Sequence, residues 1–292
     1  MYRSAEIQPL FRFGYAMALL GALRMMVGLV SIPRASLEAA SIVISVIFVI
    51  VPIAAIFMAA AYRWERQSAM VAIGVGVACQ FLLGLAVKNA PDPLSAGFLM
   101  AGSQIGLISW CLGVGALLVS ALKDKNMILP IAIFLGLFDI WLVFVPEGIA
   151  GQVARGNQEP LKRIAYSVPA PAAESQGGQA VSMLYIGPAD FLFMAMFFVA
   201  LYRFKMRTRA TAIAMLPTMA AYLLVVLVFS DKSIGPIRLG ALPALVPIGM
   251  VVLGVNWREF KLTKDEKLTT VVLFIIGIAL LAWRFWVNRE AM

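Results

Sequence analysis

Histidine is absent from all 292 residues, cysteine occurs twice, and charged residues make up only 13% of the chain. Each scarcity removes a class of chemistry. Without histidine there is no imidazole pair to hold a catalytic zinc and no imidazole base to activate a serine. Cys79 and Cys111 both lie inside apolar runs, where a lone thiol behaves as a small core residue, so neither a disulfide framework nor a metal cluster is expected. No nucleotide, flavin or zinc motif occurs, so the sequence implies no cofactor and no metal.

What is present is apolar. Hydrophobic residues reach 62% and the mean hydropathy is +0.92, values that belong to a polytopic membrane protein. Apolar runs of roughly twenty residues recur between short polar breaks, which leaves no room for a sizeable soluble domain. The expected fold is all-α: a transmembrane helical bundle of about nine spans, near 13–32, 39–62, 69–88, 95–122, 127–146, 183–202, 210–230, 238–256 and 268–287. The first apolar run is long and lacks a small-residue cleavage site, so it reads as a retained span. One junction is long: residues 148–180, rich in Pro, Gly, Ser and Gln, read as a flexible polar loop. These boundaries suggest a four-span N-terminal bundle over 1–126, a core over 127–256 and an extra C-terminal span over 257–292.

The net charge of +9 does not indicate nucleic acid, because Lys and Arg sit at the ends of apolar runs, as membrane topology requires. With nine spans, the N-terminus and the breaks near 63–68, 123–126, 203–209 and 257–267 share a side that holds about 14 positive residues against about 9 opposite. That count puts the N-terminus in the cytoplasm and loop 148–180 outside. The basic cluster at 203–209 reads as a topological anchor facing anionic lipid. Gln80 and Gln104, polar within spans, are expected to bond across helices.

Of the fifteen acidic residues, only Asp139 and Asp190 sit well inside apolar runs. A carboxylate near the bilayer centre costs about 3 kcal/mol on insertion scales, so such residues tend to be functional. Counting from the two edges of the long loop at the helical rise puts both acids roughly 10–12 Å below the same membrane face. Two facing acids in a medium of low dielectric share a proton, and their pKa values are driven apart. That state suits an aspartic protease, in which one carboxylate draws a proton from water while the other donates to the peptide carbonyl. The acids alone leave other readings open: a proton-coupled transporter or channel, or structural neutralisation of an acid by a cation such as Arg24.

The local sequences narrow the choice. LGLFDIWLVF around Asp139, YIGPADFLF around Asp190 and ALPALVPIG around Pro243 occur in that order on three separate runs. Together they resemble the presenilin and signal peptide peptidase family of intramembrane aspartyl proteases, in a prokaryotic-type form. In that family a Tyr-Asp motif and a Gly-x-Gly-Asp motif carry the two catalytic aspartates, and a Pro-Ala-Leu motif lies beside them on a later helix. The resemblance covers roughly 127–256 and implies a presenilin-like core.

Carried over by residue, the resemblance implies catalytic roles for Asp139 and Asp190, and substrate-binding or active-site support from Gly187, Pro243, Ala244, Leu245, Phe138 and Ala189. The chain departs from the pattern at Phe138, where the family has tyrosine, and at Pro188-Ala189, where only Gly187 keeps its glycine. Ala189 bears on substrate choice. The implied activity is hydrolysis of transmembrane helices or remnant signal peptides, in a multi-pass protein of the plasma or inner membrane if prokaryotic. Partners beyond such substrates and the bilayer are not implied, and oligomeric state is open. The departures also admit a catalytically silent relative.

A protease of this kind must unwind its substrate, and Pro243 and Pro247 predict an irregular, kinked start to their span with free backbone groups. Residues 179–186 are β-forming and could supply a strand just before Asp190. Gly136 and Gly187 allow close approach, and Trp141 and Tyr185 read as packing residues near the acids.

Overall fold

The chain was analysed as a computed structural model, in which residues 2–29, 31–144, 164–169, 172–173, 182–229, 233–234, 237–238 and 242–290 are described. Most of the expected long loop, 148–163 and 174–180, lies outside them. Nine α-helices occur among the described residues: α1 Tyr2–Leu29, α2 Arg34–Ala60, α3 Arg66–Ala86, α4 Pro93–Ala121, α5 Ile128–Phe144, α6 Pro188–Arg203, α7 Thr208–Val228, α8 Leu245–Asn256 and α9 Lys264–Glu290. Short strands interrupt them: β1 Ser31–Ile32, β2 Tyr166–Pro169, β3 Ala172–Ala173, β4 Ser182–Ile186, β5 Ser233–Ile234 and β6 Ile237–Arg238.

Seven of the helices, α1 to α5 with α7 and α9, are long and apolar enough to cross a bilayer, which makes this a multi-pass membrane protein. The remaining two are short. α6 has 16 residues and α8 only 12, about 24 and 18 Å against roughly 30 Å of hydrocarbon. Both runs read as full spans in the sequence, but their leading residues do not form helix. Ser182–Ile186 form β4 ahead of α6, and Leu242–Ala244 precede α8 without regular helix. An extended residue advances about 3.3 Å rather than 1.5 Å, so the depths reckoned from an all-helical chain do not apply to Asp190.

Two compact units emerge. The first joins residues 1–121 to 159–202, and holds α1 to α4, the strands β1 to β4, and α6. α4 is its most enclosed span, with 56% of its apolar window buried. α3 meets α4 through reciprocal glycines: a Cβ on Gly76 would lie 2.6 Å from the Trp110 nitrogen, and one on Gly106 would lie 2.6 Å from the Gly76 oxygen. The backbones touch, which suits small-residue packing in lipid, where no hydrophobic force presses helices together. α6 lies as close to α4, since a Cβ on Gly115 would come within 2.7 Å of the Met196 nitrogen. Phe191 and every residue from Met194 to Leu201 are buried, as a helix apolar on all sides requires.

The second unit joins 122–158 to 203–292 and holds α5, α7, β5 with β6, α8 and α9. One end is stitched by polar groups. Lys125 pairs with Glu259 at 3.3 Å, and Asn126 exchanges hydrogen bonds of 3.1 Å with the Lys261 backbone. Asn256, fully buried at the end of α8, accepts from the Arg207 amide at 3.0 Å and donates to Thr211 at 2.8 Å. The breaks 123–126, 203–209 and 257–267 therefore gather at one end of this unit.

The glycine contacts generate a stability prediction. Gly106→Leu is expected to lose about 1–3 kcal/mol through overpacking, seen as a drop of several degrees in thermal unfolding of the purified protein in detergent. Gly14, which has no atom within 4 Å of a built Cβ, is expected to accept alanine without loss. Equal melting of the two variants would contradict the close α3–α4 approach.

Candidate active site

Asp139 and Asp190 stand in different units, Asp139 within α5 and Asp190 in the first turn of α6. In the second unit Asp139 occupies the last third of α5, partly buried, and its Oδ2 accepts a 2.8 Å hydrogen bond from the amide of Leu245. Leu245 is the first residue of α8, and the opening amides of a helix have no partner of their own. The Asp139 carboxylate thus caps α8 from a neighbouring helix, on the end where the dipole favours negative charge.

Close packing makes this possible. A Cβ on Gly249 would lie 3.4 Å from the Ala132 oxygen, and one on Gly136 would lie 3.9 Å from the Val246 Cα. Two glycines on opposite helices therefore bring α5 and α8 together one turn from the hydrogen bond. The segment before α8 is held from its other end as well, because the hydroxyl of Tyr222 on α7 donates to the Leu242 carbonyl. Leu242, Pro243 and Ala244 are thus suspended between Tyr222 and Asp139. Pro247 falls in the first turn of α8, where a missing amide costs little.

Phe138 is 41% exposed and sits in a stack, with ring centroids 5.8 Å from Phe134 and 6.0 Å from Trp141. These rings line one wall of an apolar groove of about 580 Å³ between α5 and α9, with Val272 and Ile276 opposite. A phenol at 138 would bring a hydroxyl to this wall; phenylalanine leaves it wholly apolar.

In the first unit, Pro188 opens α6 at the position where a fixed φ and a missing amide are both tolerated. Asp190 follows in the first turn, and its amide bonds to the Gly187 carbonyl at 3.2 Å. An anion there is favoured by the helix dipole. A Cβ on Gly187 would lie 3.7 Å from Asp190 Oδ2, an ordinary contact, so space alone does not demand glycine. Ala189 is exposed. From α4, Cys111 donates its thiol to the Pro188 carbonyl at 3.3 Å, which ties the start of α6 down.

β4 enters this junction and pairs antiparallel with β2, Tyr166 opposite Ile186 and Ser167 opposite Tyr185. Tyr166 is fully buried and packs edge-on against Phe191, 5.2 Å away, which anchors the hairpin to α6. Arg24 is bonded to neither acid among the contacts described: its guanidinium donates to the Ser167 carbonyl at 2.8 Å and to the Ser167 hydroxyl at 2.6 Å. Its partner is a strand. Gln80 bonds across helices to Trp110, as expected, whereas Gln104 accepts from the Ser167 amide at 3.1 Å and so serves the strand too. Tyr222 escapes sequence reasoning because its partner is a backbone carbonyl, and Ser167 because two of its three bonds use its own backbone, which leaves no signature; Arg24 is visible as a cation inside a span.

Among the described residues no group of three or more Cys, Asp or Glu side chains could hold a metal ion. No family model, curated protein or solved structure matches this chain.

The cap on α8 can be tested without any substrate. Asp139→Ala is expected to expose the Leu245 amide and speed its hydrogen exchange about tenfold, the loss of roughly one hydrogen bond to a charged group. Asp139→Asn retains an accepting oxygen and is expected to keep most of the protection. Slow exchange in the alanine variant would remove Asp139 from this role.

Proposed function

We propose that this protein is an intramembrane aspartyl endopeptidase of the presenilin and signal peptide peptidase type. The reading is carried chiefly by the 2.8 Å hydrogen bond from Leu245 to Asp139, which puts the first aspartate motif and the Pro-Ala-Leu motif in direct contact. Chance similarity between three short motifs gives no reason for two of them to touch.

In the proposed reaction Asp139 and Asp190 hold one proton between them. The ionised carboxylate takes a proton from water as the water oxygen attacks the peptide carbonyl carbon, and the protonated one donates to the carbonyl oxygen. Collapse of the tetrahedral intermediate breaks the C–N bond, and the leaving nitrogen receives a proton from the pair. No cofactor enters, because water is the nucleophile.

Helical substrate is the obstacle, since its amides are satisfied within the helix. β4 runs into the turn that holds Asp190, and the non-helical Leu242–Ala244 ends at the amide bonded to Asp139, which supports recognition of an unwound substrate through strand addition. The exposure of Ala189 fits a role in substrate choice. The Lys and Arg count favours a cytoplasmic N-terminus and an outer position for loop 148–180.

Purified protein in detergent or nanodiscs is expected to cleave some members of a panel of single-span peptides, with products identified by mass spectrometry. Asp139→Asn and Asp190→Asn are each expected to lower kcat by about 1,000-fold or more, as loss of one member of a cooperating pair does. Proton-driven flux without a peptide product would transfer the acids to a transporter, and absence of both activities would leave a silent relative.

A further inference from the structure

The polar contacts around Ser167 serve neither aspartate directly. Two helices of the first unit bond β2 and a third bonds the chain just ahead of it: Arg24 of α1 donates to the Ser167 carbonyl and hydroxyl, Gln104 of α4 accepts from the Ser167 amide, and Gln80 of α3 donates to the Ile164 carbonyl at 3.4 Å. The Gln80 carboxamide is itself fixed by Trp110, and its backbone carbonyl accepts from Ser103 at 2.9 Å. Arg24 has no salt-bridged acidic partner among the described residues, and its guanidinium lies 6.0 Å from the centre of the Phe48 ring. A cation inside a span that is spent on one serine is an expensive arrangement, and it calls for a use.

Strand geometry supplies one. Both backbone groups of Ser167 point away from β4, because one bonds Gln104 and the other Arg24. In an antiparallel pair such a residue occupies a non-hydrogen-bonded site, so Tyr185 opposite it also turns its amide and carbonyl away from β2. The hairpin therefore has two outer edges of different status. On the β2 edge, a glutamine oxygen and a guanidinium N–H stand where the carbonyl and amide of a third strand would stand. On the β4 edge the Tyr185 groups face outward, five residues before Asp190.

We infer that Arg24 and Gln104 are positioning residues that act as a side-chain substitute for a third strand, closing the β2 edge so that an extended peptide can pair only along the Tyr185 edge of β4. The inference rests on the protease reading for the identity of that peptide, an unwound substrate segment, but not for the clamp itself. An open β2 edge would offer a second, unproductive register on the side away from the Asp190 junction. Closing it with side chains leaves one docking edge, which leads along the chain into Gly187 and Asp190.

Amide exchange at single-residue resolution on the full-length protein tests the clamp without any activity. The Ser167 amide is expected to exchange at least about tenfold more slowly than that of Tyr185, and Gln104→Leu to abolish the difference. In the cleavage assay Arg24→Met and Gln104→Leu are expected to raise KM about tenfold with kcat within about twofold, a loss of docking rather than of chemistry. Arg24→Lys, with one donor group in place of a fork, is expected to fall between. If Arg24→Met does not fold, Ser167→Ala removes only the hydroxyl contact and is expected to raise KM by a smaller factor.

Equal exchange of Ser167 and Tyr185 in the unaltered protein overturns the inference whatever the activity. Cleavage by the wild type with unchanged KM in all clamp variants overturns it as well, and leaves the protease reading standing. Protected Ser167 in a protein that cleaves nothing supports the clamp and counts against the protease.

Discussion

A polar group surrounded by hydrocarbon must find its partner inside the protein, and this one requirement organises the chain. Long helices meet it unaided, since each amide bonds to a carbonyl four residues back. Beside the two acids, where helix is interrupted, some groups cannot, and there partners come from side chains on other elements. Asp139 and Tyr222 serve α8 and the segment before it; Arg24 and Gln104 serve β2, and through it the strand before α6, while Gln80 serves Ile164 just ahead of β2. These five polar side chains are thus committed to backbone that helix alone leaves open.

Open backbone beside an acid is what peptide hydrolysis in a membrane needs, and this links the energetics to the proposed chemistry. Each acid lies at the start of a shortened helix, either in its own first turn or capping another's. The amide at the start of α8 fixes the Asp139 carboxylate in place, so the acid that must meet a substrate is held by the backbone beside it. The same hydrogen bond also gives Asp139 a structural duty, so its replacement tests stability and catalysis together, and the asparagine variant separates them.

The sequence discloses the membrane character, the seven long spans and the isolation of Asp139 and Asp190 among apolar residues, because hydropathy and charge act over whole segments. The shortening of α6 and α8 is legible only in part, in the β-forming residues 179–186 and in Pro243 and Pro247. SMLYI is as apolar as the helix that follows, and a short apolar run fits strand and helix equally until its pairing with Tyr166–Pro169 is known. Arg24 is recognisable as a cation in need of a partner, with the two acids the partners a sequence offers, and a serine backbone carbonyl is not something a sequence pattern marks. Tyr222 is hidden for the same reason. Gly136, by contrast, stands one turn from Asp139 on the α8-facing side, where its small size has a visible purpose.

The proposed reaction requires Asp139 and Asp190, which belong to different units, to come close enough to share a proton. Cysteines at both positions, in a chain with Cys79 and Cys111 replaced by alanine, test it by cross-linking with the shortest bifunctional thiol reagent in membranes. The account predicts a cross-link as efficient as that between cysteines at 139 and 245, whose native groups are hydrogen-bonded. Efficient linkage of the 139–245 pair with none between 139 and 190 would contradict it.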